Sequence, residues 1–277
     1  MLTRWHDLEA VELTGINGCR AVITLHGAHV VEYIPNGTGD ILFVSGKSEF
    51  RSGKAIRGGV PVCWPWFGAS EIPGRPIQGF ARTAQWEVET HEEDFIRFAL
   101  PEKNVPEELR DFPFELFSEI RLSDVLEIAI VMKNCGTVPV NISCALHSYF
   151  AVSDCEKVSV AGLKNTPFTV KGGAEEVDRD NFLVINGEVC RLYCPQSQAL
   201  TLHDPDWQRD IVIEKYNSNS TLVWNPGAER CAQIGDLADD EYHDFLCIEA
   251  NRAGNDTLTL QPGETEILSQ QIRIRLL

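Results

Sequence analysis

No stretch of this chain approaches ~18 uninterrupted apolar residues, so no membrane-spanning helix is expected. Basic residues are scarce. Only 24 Lys and Arg stand against 41 Asp and Glu, a formal charge of −17 that argues against nucleic acid or an anionic membrane as partner. Anionic small ligands stay open, because a few arginines can reverse the field inside a pocket. The first residues, Met1-Leu-Thr-Arg-Trp-His-Asp-Leu-Glu9, lack a basic start followed by an apolar run. No signal peptide is read there, and a cytoplasmic protein is expected.

Several motifs are also missing. There is no Gly-x-Ser-x-Gly elbow, no phosphate-binding loop and no dinucleotide fingerprint. His26-Gly-Ala-His29 has no following Glu at a spacing that would hold a metal. Cys190 and Cys194, with His203 nearby, form a weak zinc pattern, since no second ligand pair follows. The nine cysteines are an odd count, and without an export signal they read as reduced thiols rather than a disulfide framework. No repeat, linker or low-complexity tract divides the chain, so residues 1–277 read as one domain.

Helical periodicity is nearly absent, with short helical turns expected only around Asn104–Arg110 and Leu237–Tyr242. What fills the chain is period-2 alternation, as in Phe114–Leu122, Val125–Lys133, Val140–Phe150, Ile211–Tyr216 and Thr265–Ile274. Ile16-Asn17-Gly18 reads as a hairpin turn between two such runs. Many strands joined by Gly, Pro and Asn turns predict an all-β fold, a large antiparallel sandwich or barrel. Two regions interrupt the rhythm. Gly162–Asp180 reads as an exposed polar excursion. Lys47–Arg82 mixes glycines and prolines with Trp64, Trp66, Phe67 and Phe80 and with Arg57, Arg75 and Arg82, a composition suited to a pocket wall that packs on a sugar and holds an anion. The same residues could also simply plug the end of a sandwich.

Two side chains stand out. Phe245-Leu-Cys-Ile-Glu-Ala-Asn251 alternates as a strand, with Phe245, Cys247 and Glu249 on one face and Leu246, Ile248 and Ala250 on the other. Either Glu249 sits at a strand end facing water, or it is buried, bound and poised as a base. On Asn141–Tyr149 one face carries Asn141, Ser143, Ala145, His147 and Tyr149, the pattern of a solvated face or a cleft wall. His147 there is either a structural histidine or a proton donor.

Ala55-Ile-Arg-Gly-Gly-Val-Pro-Val-Cys-Trp-Pro-Trp-Phe-Gly68, Gly79-Phe-Ala-Arg82, Ala145-Leu-His-Ser-Tyr-Phe150, Val223-Trp-Asn-Pro-Gly227 and Phe245-Leu-Cys-Ile-Glu-Ala250 occur in that order. In this the chain resembles the D-hexose-6-phosphate mutarotases (glucose-6-phosphate 1-epimerases) of the aldose 1-epimerase superfamily. The resemblance implies a galactose mutarotase-like β-sandwich and cofactor-free, metal-free interconversion of the anomers of a hexose 6-phosphate by a monomer. It implies Glu249 as the base at the C1 hydroxyl, His147 as the acid at the ring oxygen, and Arg57 and Arg82 at the phosphate. Two positions depart from the family pattern. Gln78 replaces a His before Gly-Phe-Ala-Arg, and Cys190 replaces an Asp in Asp-Arg-x-Tyr, so the groups reading the sugar hydroxyls differ. The competing functions are a non-catalytic sugar or sugar-phosphate binder and, more remotely, a glycoside hydrolase, which ordinarily needs two facing carboxylates.

Overall fold

Alternating burial builds the sheets. Along Phe114–Leu122 every second residue from Phe114 to Leu122 is buried while those between face outward, the signature of a strand with one face on a core. The computed structural model describes residues 2–170 and 173–277. In it 47% of residues lie in strands and 8% in helices, which makes the chain all-β.

Nine antiparallel strands form the larger sheet, in the order Phe182–Val184, Ser159–Ala161, Leu200–Asp204, Arg209–Tyr216, Thr265–Leu276, Leu126–Asn134, Phe114–Leu122, Phe95–Ala99 and Glu87–His91. An eight-stranded sheet lies against it. Its order is Glu175–Val177, Pro167–Val170, Val189–Tyr193, Ser220–Asn225, Phe245–Arg252, Cys144–Leu146 and Val62–Cys63, with Tyr149–Ala151 also paired to Phe245–Arg252. A four-stranded sheet, from Leu2–Trp5 to His29–Ile34, and the pair Val140–Ile142 with Leu258–Leu260 complete the architecture. Leu246, Ile248 and Ala250 join Leu268, Ile272 and Ile211 in the core between the two large sheets. At ~25 cal/mol per Å² of apolar area, each Leu or Ile among them contributes roughly 1.5–3 kcal/mol on burial. Ser148 Oγ donates to Gln270 Oε1 at 2.5 Å across the same interface.

The two expected faces of Phe245–Arg252 are real, and both are covered. Phe245 and Cys247 pack with Phe43, Tyr149, Cys231 and Leu237 in a second cluster, so Glu249 points towards that side. The strand expected over Val140–Phe150 is broken into Val140–Ile142, Cys144–Leu146 and Tyr149–Ala151. The first piece leaves to pair with Leu258–Leu260 and the others stay beside Phe245–Arg252, which no local pattern could announce. Ile16–Gly18 is a 3₁₀ turn, still joining paired strands. The expected turn near Leu237–Tyr242 falls at Glu241–His243, and a short α-helix, Gly227–Cys231, was not foreseen. Gly162–Asp180 is no simple excursion. Pro167–Val170 and Glu175–Val177 pair at the sheet edge, while Lys171 and Gly172 of that region lie outside the described residues. Among the described residues no helix is long and apolar enough to cross a membrane.

Candidate active site

Glu249 reaches its position from the middle of a sheet. Leu222 lies opposite it on one neighbouring strand, and two residues on, Asn251 pairs with Ala145 on the other. The residue has no exposed surface. Asn251 Nδ2 donates to Glu249 Oε2 at 3.1 Å, and Asn251 is itself fixed by the Leu222 N–H at 2.7 Å. The other oxygen, Oε1, has no hydrogen-bond partner but stands 3.3 Å from His147 Nε2. Burial raises the Glu249 carboxyl well above its usual range, an effect the Asn251 hydrogen bond only partly offsets.

His147 arrives from the break between Cys144–Leu146 and Tyr149–Ala151. Its N–H donates to Pro61 O at 3.1 Å, and the chain then turns so that Ser148 faces the core and His147 the second cluster. The residue is 6% exposed, and its ring stacks on Tyr149 with centroids 4.7 Å apart and planes 8° from parallel, while Trp224 meets it edge-on at 6.1 Å. Burial, then the nearby Arg57 and Arg82 charges, hold the imidazole well below its usual pKa. Its Nδ1 is unpartnered.

The arginines behave differently from each other. Arg57 is held by Asp236, its Nε and Nη2 donating to Oδ1 at 3.1 and 3.0 Å, and its Nη1 donates to the Tyr149 hydroxyl at 3.1 Å. Its charge already has a counter-ion. Arg82, in the 3₁₀ turn Ala81–Thr83, donates one Nη2–H to Ile77 O at 3.1 Å and leaves a buried Nε without a partner. No carboxylate pairs with Arg82 among the described residues. Three buried polar atoms, Glu249 Oε1, His147 Nδ1 and Arg82 Nε, are thus unsatisfied in one neighbourhood, which is costly unless a ligand meets them.

The aromatic loop closes on itself beside this cluster. Gly79 lies against Trp64, where a Cβ would fall 2.0 Å from the Trp64 carbonyl oxygen, and its φ is +70°. Only glycine fits that turn. Gln78 pins the neck, its N–H donating to Gly68 O at 2.6 Å and its Oε1 accepting from the Gly68 N–H at 2.7 Å, which leaves the amide NH₂ for other partners. Cys190 lies on Val189–Tyr193, half-buried and opposite Trp224, which in turn faces Cys247. It therefore shares the face of Glu249 at a distance of two strands. His203 belongs to the other large sheet and bonds Asp210 at 2.6 Å, far from the pattern read around Cys190 and Cys194.

The aldose 1-epimerase family model matches residues 9–273. The chain belongs to that family. It is 33% identical over 260 residues to a protein of Escherichia coli K12 named as a candidate glucose-6-phosphate 1-epimerase, covering 92% of this chain and 87% of that protein. A protein of Cenchrus ciliaris with the same name is 30% identical over 275 residues, covering 93% and 82%. The crystal structure of a candidate mutarotase from Salmonella typhimurium superposes with a TM-score of 0.90 at 27% identity, covering all of this chain and 93% of the other. The protein is an isomerase of the epimerase class, with a mutarotase fold.

Within this family member the sequence reading missed Asp236, Asn251 and the part played by Tyr149. Tyr149 and Asn251 each stand two residues from a singled-out residue on the same strand face, a signal that could have been used. Asp236, in a loop, carried none.

Proposed function

We propose that the protein interconverts the α and β anomers of a hexose 6-phosphate, glucose 6-phosphate foremost, with Glu249 as base and His147 as acid. The observation that carries this is the 3.3 Å approach of Glu249 Oε1 and His147 Nε2 in a buried cluster where neither residue's hydrogen bonding is complete. Glu249, ionised, takes the proton of the C1 hydroxyl as the C1–O bond becomes a carbonyl. The bond from C1 to the ring oxygen breaks, and His147, protonated, supplies that oxygen with a proton. The open chain then rotates about C1–C2, and ring closure on the other face returns both protons.

Halfway through, Glu249 is neutral and so is His147. Burial pushes both residues towards those same forms, so the pocket favours the protonation state of the open chain over the starting ion pair. Arg82, which has no carboxylate partner among the described residues, anchors the phosphate; its forked N–H groups suit phosphate oxygens. Arg57 stands behind it and fixes Tyr149. Gln78 and Cys190 line the part of the pocket that reads sugar hydroxyls. The relatives named as candidate glucose-6-phosphate 1-epimerases support the phosphorylated substrate.

The test is to follow freshly dissolved α-glucose 6-phosphate by polarimetry or exchange NMR. Catalytic amounts of protein should speed equilibration, and Glu249→Gln should abolish the effect. Binding of the sugar phosphate without acceleration would overturn the reading.

A further inference from the structure

Away from the catalytic pair, three side chains of different ligand type converge. Asp154, Cys155 and His243 each offer one donor atom, and these atoms lie within 4.8 Å of one another. The Asp154 carboxylate and His243 Nδ1 are 3.0 Å apart. Cys155 is buried beneath them, while the side chains of Asp154 and His243 retain 24% and 38% of their exposure. The arrangement therefore has a closed thiol floor and an open, wet side. We propose that Asp154, Cys155 and His243 form a site for a zinc-like divalent cation, with the fourth position left to water.

The donor set argues for the cation class. A thiolate, an imidazole nitrogen and a carboxylate oxygen together suit borderline-soft Zn²⁺, whereas magnesium and calcium take oxygen alone. Ligand atoms around tetrahedral zinc stand about 3–4 Å apart, so the present spacing needs only a small contraction. The surroundings are acidic: Glu156, Asp240, Glu241 and Asp244 flank the three ligands in sequence, and a cation relieves that crowding.

The backbone already holds the ligands in place. The Cys155 N–H donates to His243 O at 2.7 Å and the Val152 N–H to Asp244 O at 2.9 Å. Asp154 and Cys155 follow the strand Tyr149–Ala151, and His243 precedes its partner Phe245–Arg252. His147 and Glu249 lie at the opposite end of those same two paired segments, roughly 20 Å away at ~3.3 Å per residue. A cation would clamp one end of the strand pair whose other end carries the catalytic residues. It would act on their register and take no part in the proton transfers.

The full-length chain, stripped with a chelator, is titrated with Co²⁺ and then Zn²⁺. The expected result is a thiolate-to-cobalt charge-transfer absorption that saturates at one equivalent per chain and is displaced by zinc, with zinc also raising the melting temperature. His243→Ala, at a partly exposed position, and Cys155→Ser should each remove the absorption and weaken zinc binding by at least about tenfold. Absence of the absorption, or its survival at full strength in either variant, overturns the site.

Discussion

A carboxylate buried without a cation has a cost that can be measured at the residue scale. In the unfolded chain Glu249 titrates near the ordinary glutamate value of 4.5, while burial holds the folded group well above it. The stability it allows is present below the unfolded value and is lost as pH rises towards the folded one, by about 1.4 kcal/mol per pH unit between them. Glu249→Gln escapes that loss. Its melting temperature should match the parent's near pH 4 and exceed it increasingly towards neutrality, while activity falls by about 10²–10⁴-fold, the usual weight of a general acid–base group. An equal melting temperature at every pH would mean that Glu249 is not buried as described.

Activity as a function of pH follows from the same two shifts. The reactive pair carries one proton in total, so kcat/KM falls when acid adds a second and when alkali removes the last. The second proton would go to His147, held below 6.5, and the last one leaves from Glu249, held above 4.5. The bell therefore has an acid limb below ordinary histidine titration and an alkaline limb above the ordinary carboxylate range, both belonging to the coupled pair. Arg82→Ala should raise KM for the hexose phosphate at least about tenfold, since a charge-assisted contact is worth ~1.5–3 kcal/mol. It should leave an unphosphorylated aldose nearly unaffected. Steady-state kinetics with the two sugars separate anchoring from folding, because a folding defect would lower both.

At the scale of elements, the loop from Trp64 to Arg82 has its shape from one close approach. Gly79→Ala brings a Cβ against the Trp64 carbonyl at a positive φ, and the backbone must move. A loss of more than about 1 kcal/mol is expected by chemical denaturation, together with a lower activity because Arg82 follows three residues later. Elements were legible in the sequence where one face packs on a core over many residues. Phe114–Leu122 carries its alternation through nine positions and was read with its full bounds. Val189–Tyr193 was not read, because three of its five residues are half-exposed and both faces are mixed. The split of Val140–Phe150 was invisible for another reason: the choice between continuing and leaving the sheet is made by a distant partner, Leu258–Leu260. The site followed the same division. Glu249 and His147 were marked by residue type against their strand pattern, and the approach between them depended on the register that Cys144–Leu146 and Tyr149–Ala151 set against Phe245–Arg252. Gln78 was read as a hydroxyl contact; its oxygen closes the neck of the loop, a role no local pattern announced, and its amide NH₂ stays available to a sugar.

Across the whole molecule, the charge of −17 meets an anionic substrate. Repulsion at long range slows encounter, and salt shortens the reach of that field to about 10 Å at 0.1 M. The ratio of kcat/KM for a hexose phosphate to that for a neutral aldose should therefore rise between low and moderate ionic strength. A falling ratio would mean that the local field of Arg57 and Arg82 outweighs the molecule's.

The strand Thr265–Leu276 lies between Arg209–Tyr216 and Leu126–Asn134, so it joins the two halves of the nine-stranded sheet. All its neighbours precede it in the chain. During synthesis the two halves must wait, with unpaired edges, for the piece that unites them, and pairings of this range are slow to form. Those open edges are where a nascent or truncated chain would stick to its copies, and where a holding chaperone would bind.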